Sequence, residues 1–174
     1  MTDDNFQVDA RLRALETRLA AVEDQLAITR LMATYGPAVD SLDAELTAEL
    51  WAVDGWYDAG VATFEGHQGL RDLIDSDLHQ RLAAMGAAHV ISAPQVTIDG
   101  DTAVAVCYAQ VLVHDESADA GWRIWRVTAN RWHWSRTPQG WKVVARTNRP
   151  LDGSDEPRQL FRDSLSHNLG GVVP

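Results

Sequence analysis

Three polar side chains in otherwise apolar stretches of this sequence could carry chemistry together: Asp40, His89 and Arg146. An aspartate that accepts a hydrogen bond from one imidazole nitrogen leaves the other nitrogen free to act as a base. An arginine keeps its proton, so a nearby guanidinium can stabilise a departing anion or an enolate. Together the three residues are suited to proton abstraction and elimination without a cofactor.

No short motif ties these residues together, because each stands on a different predicted element. A histidine in a strand is often a satisfied structural residue, and an arginine in a sheet can face solvent. Spacing alone therefore leaves both a catalytic and a structural interpretation open.

Asp40 ends a predicted amphipathic helix whose apolar stripe would carry its carboxylate towards the interior. A buried carboxylate needs a partner, because an unpaired buried charge is very unfavourable. Gly36 and Pro37 come one turn before Asp40 and predict a kink or local unwinding there. The stripe consists of Ile28, Leu31, Met32 and Val39.

Apolar residues further upstream recur at alternating spacings of three and four, which is a short heptad pattern. Two interpretations fit this pattern: a long first helix packed on its own domain, or a helical extension that contacts another subunit. We expect the polar residues 1–8 to be disordered or frayed. The pattern consists of Leu12, Leu15, Leu19, Val22 and Leu26.

Short helices and one hairpin are predicted next. Ser41 is a candidate N-cap for a helix over residues 43–52, with Leu46 and Leu50 facing inward. Residues 56–64 predict a brief hairpin. One further helix is expected to end near Gly86, with its apolar positions at Leu70, Leu73, Ile74, Leu78 and Leu82.

From His89 onward the apolar period changes from about 3.6 towards 2, which predicts strands over residues 89–98, 102–114, 122–136 and 141–149. Residues 151–174 are expected to form a tail, in which a helix is predicted over residues 157–168. Helices followed by mostly antiparallel strands predict one α+β domain over residues 9–150. We expect a cone-shaped barrel, in which a curved sheet wrapped by about three N-terminal helices encloses a pocket.

The composition argues against several classes of function. The net charge of −10 over 174 residues is unsuited to a nucleic-acid binder or to an anionic membrane surface. No apolar run is long enough to span a membrane and the single cysteine permits no intrachain disulfide, so we expect a cytoplasmic protein. The sequence has no HxH, HExxH or CxxC spacing and no glycine-rich phosphate loop, so neither a metal nor another cofactor is expected.

The order of elements and three segments resemble the SnoaL-like family of the nuclear transport factor 2-like fold, over about residues 20–150. The segments are Ile28-x-x-Leu31-x-x-x-Tyr35-x-x-x-x-Asp40-x-x-Asp43, Phe64-Glu65-Gly66-x-x-Gly69-Leu70 and Gly140-Trp141-Lys142-Val143-x-x-Arg146.

The resemblance is greatest to the dehydratase and dehydrochlorinase branches of this family, which share an aspartate–histidine pair. It implies that Asp40 and His89 form that pair, that Arg146 assists them, and that Tyr57 is a pocket aromatic. It also implies that Tyr35 can hydrogen-bond a substrate oxygen. The alternative is a purely structural tyrosine, whose ring packs in the core and whose hydroxyl faces solvent. The family also contains polyketide cyclases, isomerases and members without known activity, so the fold does not choose the reaction.

Alternation along the strands suggests further substrate-binding residues. Gln110 and His114 share one face of their strand, and one dehydratase branch has a second histidine at about the place of His114. That face is either the concave, pocket-lining one or the solvent-exposed one. Asn130 and Trp132 share a face of the next strand, where the tryptophan is either a ligand contact or a core or interface residue.

The remaining histidines and the cysteine are not predicted to act. Cys107 has no basic neighbour in the sequence, so we do not expect a nucleophile there. His67, His79 and His167 are predicted on turns or helix surfaces.

The first functional hypothesis is a cofactor-independent lyase, a dehydratase or related β-eliminating enzyme, for a small, largely apolar cyclic substrate. The second is an isomerase or polyketide-cyclase-like enzyme with the same base, and the third is a non-catalytic small-molecule-binding or assembly module. Seven tryptophans, four of them between Trp122 and Trp134, are many for one domain. Aromatic enrichment at interfaces and the family resemblance together predict a homotrimer or homodimer.

Overall fold

The computed structural model describes residues 2–119 and 121–166 and begins with one long helix. Helix α1 (Thr2–Asp40) is continuous over 39 residues, so residues 2–8 are helical rather than frayed. The helix also continues through Pro37, which lies on its exposed side, so the predicted unwinding before Asp40 is wrong. Its buried stripe consists of Ile28, Met32, Tyr35 and Val39.

Asp43, and not Ser41, caps the second helix. The Asp43 carboxylate accepts a hydrogen bond from the backbone N–H of Leu46 at 2.9 Å, and helix α2 (Ala44–Glu49) follows. The Ser41 hydroxyl instead donates to the last turn of α1. Of the two leucines expected to face inward, Leu50 is buried, whereas Leu46 is partly exposed.

The hairpin expected next is formed by strands β1 (Trp51–Asp58) and β2 (Thr63–Glu65). The single helix expected after it is two helices, α3 (Gly66–Asp75) and α4 (Asp77–Met85). Ser76 separates them, because its hydroxyl accepts a hydrogen bond from the first turn of α4 and starts a new helix.

The strands that follow lie close to the predicted ranges, with one division. They are β3 (Ala87–Ile91), β4 (Gln95–Asp99), β5 (Thr102–His114), β6 (Trp122–Thr137) and β7 (Gly140–Pro150). The strand predicted over residues 89–98 is divided between β3 and β4, because Pro94 has no N–H to donate to a neighbouring strand. Both parts pair antiparallel with β5.

The sheet has the order β2-β1-β7-β6-β5-β3, with β4 also paired to β5. Its pairs are antiparallel except that of β1 with β7, which is parallel. The β5–β6 and β6–β7 pairings each contain a register shift, and such irregularities bend a sheet. The predicted α+β fold, with N-terminal helices against a curved, mostly antiparallel sheet, is confirmed.

The two faces of the sheet are covered by different helices. Helix α1 contacts β3 and β4, and helix α5 (Glu156–Leu165) contacts β5, β6 and β7. Along β5, Cys107 belongs to the core shared with α1, whereas the next residue, Tyr108, packs against Phe161 of α5. The predicted end of α5 at Asn168 lies outside the described residues. Within the described part of the chain, every helix is too short or too polar to cross a membrane.

Candidate active site

Asp40 and His89 form a direct hydrogen bond between helix α1 and strand β3. Nδ1 of His89 lies 2.6 Å from Oδ1 of Asp40, and the backbone N–H of His89 donates to Oδ2 of Asp40 at 2.8 Å. Both carboxylate oxygens are therefore used by one residue, which fixes the position of the imidazole. The partner that the apolar stripe of α1 required for its aspartate is His89.

This contact also determines which imidazole nitrogen carries the proton. A carboxylate only accepts hydrogen bonds, so Nδ1 of His89 is the donor to Asp40. In the neutral imidazole, Nε2 is then unprotonated and its lone pair is available to a proton. The side chains of His89 and Asp40 are only 17% and 24% exposed, and His89 lines a pocket. The pair has the arrangement of a general base held by a carboxylate.

Arg146 is a buried cation that one amide and three aromatic rings hold in place. Its Nε and Nη2 donate to Oδ1 of Asn130 at 3.1 and 2.8 Å. The centre of its guanidinium lies 4.0 to 4.4 Å from the ring centroids of Tyr35, Tyr57 and Trp132. Within the described residues, Nη1 has no hydrogen-bond partner. Cation–π contacts strengthen when water is excluded, so the rings stabilise a charge that no carboxylate in the described part of the chain neutralises.

Pairing of strands β6 and β7 assembles this cluster. Arg146 is the register partner of Trp132, and Asn148 is the register partner of Asn130. The Asn148 side chain donates to the hydroxyl of Tyr57 at 3.0 Å, which fixes one of the three rings. Side chains of directly opposed residues stand on the same face of a sheet, so the register itself brings these groups together.

A pocket of about 240 Å³ lies beside the two groups. His89 and Arg146 are both in its wall, and no aspartate or glutamate among the described residues lines it. The described residues also contain no group of three or more histidine, cysteine or acidic side chains that could hold a metal ion. Most of the wall is apolar and includes Val61, Phe64, Leu73, Leu78 and Leu82.

The predicted site residues occupy two layers around this pocket. Asn130 and Trp132 are fully buried and lie behind Arg146 rather than in the wall, so their predicted direct contact with a ligand is not seen. Asp40 holds His89 from outside the pocket wall. The predicted residues in the wall itself are His89, Arg146, Tyr35, Tyr57 and Gln110.

His114 lies outside the pocket, contrary to the expectation from the resemblance. It is exposed at the end of β5, its ring packs edge-on against Trp122 at 5.5 Å, and its backbone N–H donates to the carbonyl of Gly86. Cys107 and Val113 are buried on one face of β5, and alternation places His114 on the opposite face. Gln110 shares that opposite face but lies in the pocket wall, so alternation alone does not explain why His114 is outside the pocket.

His79 is a pocket residue that the sequence reasoning missed. It is 6% exposed, its ring centroid lies 5.7 Å from that of His89, and its Nε2 donates to the carbonyl oxygen of Val39 at 2.8 Å. The sequence feature that could have revealed this position is Ser76, which is the N-cap of helix α4. A helix that restarts there places His79 on the same face as the buried Leu82, three residues later.

Arg126 is the second missed pocket residue. It lies on β6, lines the pocket, and donates through Nη2 to the carbonyl of Ala59 at 2.8 Å. Period-two alternation from the buried residues Thr128 and Asn130 would have predicted its face correctly.

Burial shifts the protonation of three groups in and around the pocket. It raises the pKa of Cys107 to about 11 and raises the pKa of Tyr35 above its ordinary value, although the charge of Arg146 opposes both shifts. Burial also lowers the pKa of His79, which the hydrogen bond to Val39 only partly offsets. At neutral pH Tyr35 is therefore a hydrogen-bond donor, His79 is neutral and Cys107 is an unreactive thiol.

Comparisons with known proteins agree with this architecture. A family model described as a SnoaL-like domain matches residues 20–147. A solved NTF2-like protein with a cystatin-like fold from Novosphingobium aromaticivorans is 43% identical, with a TM-score of 0.81, and the match covers 86% of this chain and 96% of that one. No curated protein matches the sequence.

Two other solved structures are more distant. A protein of unknown function from Mycobacterium tuberculosis is 19% identical, with a TM-score of 0.67 over 90% of both chains, and supports the fold alone. A proposed aromatic ring hydroxylase from Novosphingobium aromaticivorans is 28% identical, with a TM-score of 0.57, and the match covers 75% of this chain and 90% of that one.

Proposed function

The chain belongs to the SnoaL-like family of the NTF2-like superfamily, which includes enzymes, and we propose that it is a cofactor-independent lyase. The proposed reaction is dehydration or a related β-elimination on a small, largely apolar cyclic molecule. The observation that carries this proposal is the hydrogen bond between Asp40 and His89, at the wall of a pocket that also contains the buried cation Arg146.

In the proposed step, Nε2 of His89 takes a proton from the carbon next to the one that bears the leaving group. The electron pair of the broken C–H bond forms the double bond, and the leaving group departs with its bonding pair. A halide leaves as the anion, whereas a hydroxyl leaves as water with the proton that the imidazolium returns. Asp40 stabilises the imidazolium while it exists.

Arg146 supplies positive charge where negative charge develops, on an enolate oxygen or on the departing group. Asn130 and the three rings already hold the guanidinium, so no reorganisation is needed during the reaction. Tyr35, which lines the pocket and keeps its proton, can donate a hydrogen bond to a substrate oxygen.

An isomerase or polyketide-cyclase-like enzyme is the alternative that the same geometry supports. It would use the same base, with Arg146 polarising a carbonyl and with no leaving group. A non-catalytic module would require only the pocket, which is open rather than filled by side chains. The hydrogen bond between Asp40 and His89 favours the two catalytic alternatives over this third one.

A substrate screen with product mass measurement tests the proposal. The compounds are hydroxylated and halogenated rings, chosen for the apolar wall and for the description of the 28% identical neighbour as a proposed aromatic ring hydroxylase. A lyase yields products lighter by water or a hydrogen halide, whereas a product of unchanged mass would replace the lyase by an isomerase or cyclase.

The matched controls for this screen are two aspartate variants. Asp40→Asn removes the carboxylate behind the base, and Asp99→Asn makes the same change in an exposed hairpin residue away from His89. Turnover should be lost only in Asp40→Asn. Equal turnover by the wild type and Asp40→Asn would exclude the Asp40–His89 pair as the base.

A further inference from the structure

We propose that the ligand of the pocket is an anion, an apolar ring that bears a carboxylate, and that Arg126 binds this carboxylate. The inference rests on the proposed function of the pocket and names its substrate class. The charges in the pocket wall differ in sign from the net charge of the whole protein. Among the described residues, the wall contains two arginines and no acidic residue, whereas the chain has 25 acidic residues against 15 lysines and arginines.

No described carboxylate forms an ion pair with Arg126, in contrast to two other arginines of the sheet, Arg123 and Arg149. Its Nη2 donates to the carbonyl of Ala59 at 2.8 Å. Arg123, on the same strand, pairs with Asp115 at 2.8 Å, and Arg149, on the next strand, pairs with Asp58 at 2.6 Å. A guanidinium carries five N–H donors in a planar fork, so Arg126 keeps donors for a bidentate bond to a ligand carboxylate.

The position of Arg126 suits a carboxylate at the mouth of the pocket. Its neighbours in the wall, Val61 and Trp125, are 73% and 38% exposed, whereas Arg146 is 2% exposed. A carboxylate near the mouth keeps part of its hydration, so binding there costs less desolvation than binding beside Arg146. The apolar ring then lies against Phe64 and Leu73, with its reacting carbon towards His89.

Binding of a matched pair of probes tests the inference without turnover. The probes are cyclohexanecarboxylate and its neutral amide, cyclohexanecarboxamide, followed by saturation-transfer NMR and titration with the full chain. The carboxylate should bind at least ten times more tightly than the amide in the wild type, since a bidentate charged pair is worth about 1.4 kcal/mol or more. Arg126→Gln should remove this preference.

The control variant is Arg123→Gln, which removes an ion-paired arginine of the same strand that does not line the pocket and should keep the preference. No preference in the wild type, no binding of the carboxylate, or a preference that survives Arg126→Gln would each overturn the inference. These outcomes are separate from a failure of the proposed reaction, because Asp40→Asn should bind the carboxylate as the wild type does while losing turnover.

A second, independent inference concerns the beginning of helix α1. We infer that two copies of the chain associate through residues 5–26 as a parallel coiled coil. The α1 stripe, defined as the apolar residues at this end of the helix, does not pack on its own domain, and each member is 45% to 61% exposed. The α1 stripe consists of Val8, Leu12, Leu15, Leu19, Val22 and Leu26.

The α1 stripe is exposed because the helix contacts its own domain through a different side. Asp24 accepts hydrogen bonds from Arg136 at 2.8 and 2.6 Å and from the indole N–H of Trp141 at 3.0 Å. If Leu19 and Leu26 occupy a positions of the heptad, Asp24 occupies f, on the opposite side of the helix. The domain therefore holds the helix by one side and leaves the α1 stripe free for a partner.

The charges beside the α1 stripe favour a second copy in parallel orientation. In the same heptad frame, Arg11 and Arg18 occupy g positions, and Glu16 and Glu23 occupy e positions. A parallel pair places each g residue beside the e residue five positions later in the partner. Both pairs are then of opposite charge, whereas an antiparallel pair would place arginine against arginine. Asn5 falls at an a position, where asparagine favours two strands in register.

Light scattering of the full chain at micromolar concentration tests the association. The wild type should have twice the mass of one chain, and the Leu15→Asp/Leu19→Asp variant should have the mass of one chain. The matched control, Ala10→Asp/Thr17→Asp, adds the same charges at exposed f positions and should keep the wild-type mass. A single-chain mass for the wild type, or an unchanged mass for Leu15→Asp/Leu19→Asp, would overturn the inference.

Cross-linking determines the orientation. Residues at the same a position meet across a parallel coiled coil, so Leu12→Cys should form a disulfide between chains under mild oxidation. The wild type should not, because Cys107 is buried. Absence of the cross-link in a Leu12→Cys dimer would exclude the parallel arrangement.

Discussion

Gly36 of helix α1 packs directly on the backbone carbonyl of His89, with no space for a β-carbon between them. A β-carbon at position 36 would overlap the carbonyl oxygen and lie 3.4 Å from the carbonyl carbon. This close approach of α1 to β3 lets Asp40, one turn later, reach both the backbone N–H and the imidazole of His89. A glycine therefore positions the proposed base without touching the ligand.

Gly36→Ala is expected to lower both stability and turnover. In an exposed helix interior this change stabilises by about 1 kcal/mol, because alanine has the higher helix propensity. Here the overlap with backbone atoms reverses the sign, and we expect a loss of about 1–3 kcal/mol. Urea unfolding and turnover measure the two effects.

Pro37→Ala is the contrasting variant, because it removes an interior proline from the exposed side of the same helix and should stabilise the protein. Wild-type stability and turnover in Gly36→Ala would show that α1 does not depend on this close approach.

Much of the fold could be predicted from local patterns, whereas the pairing of Asp40 with His89 was predicted from the family resemblance. The change of apolar period near His89 separated the helices from the sheet, and an aspartate on a buried stripe required a partner. The points at which a single residue ends one helix or strand and starts the next were harder to predict. Pro94 and Ser76 each interrupt a stretch whose apolar spacing continues across them.

The curvature of the sheet and the distance of each side chain from the pocket could not be predicted from these patterns. Alternation shows that residues share a face of a strand, but not which of them reach the pocket. Gln110 and His114 share a face of β5, yet of the two only Gln110 lies in the pocket wall, whereas His114 is exposed at the end of the strand. Alternation also cannot distinguish a residue in the pocket wall from one behind it. Asn130 and Trp132 are on the expected face but hold Arg146 rather than line the pocket.

Asp40→Asn should keep the fold and lower kcat by a factor on the order of 10³ to 10⁴, by analogy with other histidines held by aspartate. The amide can donate to Nδ1 of His89, which would place the imidazole proton on Nε2 and remove the base.

His89→Ala should lower kcat at least as much as Asp40→Asn does. The double variant should be no slower than His89→Ala, because the two residues act as one unit. Circular dichroism checks the fold, and fully additive losses would contradict a joint role.

Arg146→Lys should lose most turnover although it keeps the charge. A lysine cannot donate from two nitrogens to Asn130, nor lie flat among the rings of Tyr35, Tyr57 and Trp132. Arg149→Lys is the matched change on the same strand, at an ion pair with Asp58 outside the pocket, and should cost no more than about 1 kcal/mol. Turnover and urea midpoints compare the two. Equal turnover would mean that the fork of Arg146 is not needed.

His79 should make the stability of the protein depend on pH in mildly acidic solution. Burial lowers the pKa of His79 below its ordinary value of 6.5, so the unfolded chain binds a proton that the folded chain resists. The folded state therefore loses stability as the pH falls from 6.5 through the lowered pKa. His79→Gln lacks this titration, and the amide of the glutamine can still donate to the carbonyl of Val39.

Unfolding midpoints measured between about pH 7 and pH 5 should fall more steeply for the wild type than for His79→Gln. His114→Gln, which replaces an exposed histidine, should follow the wild type. Parallel curves for the wild type and His79→Gln would assign the acid sensitivity to other groups.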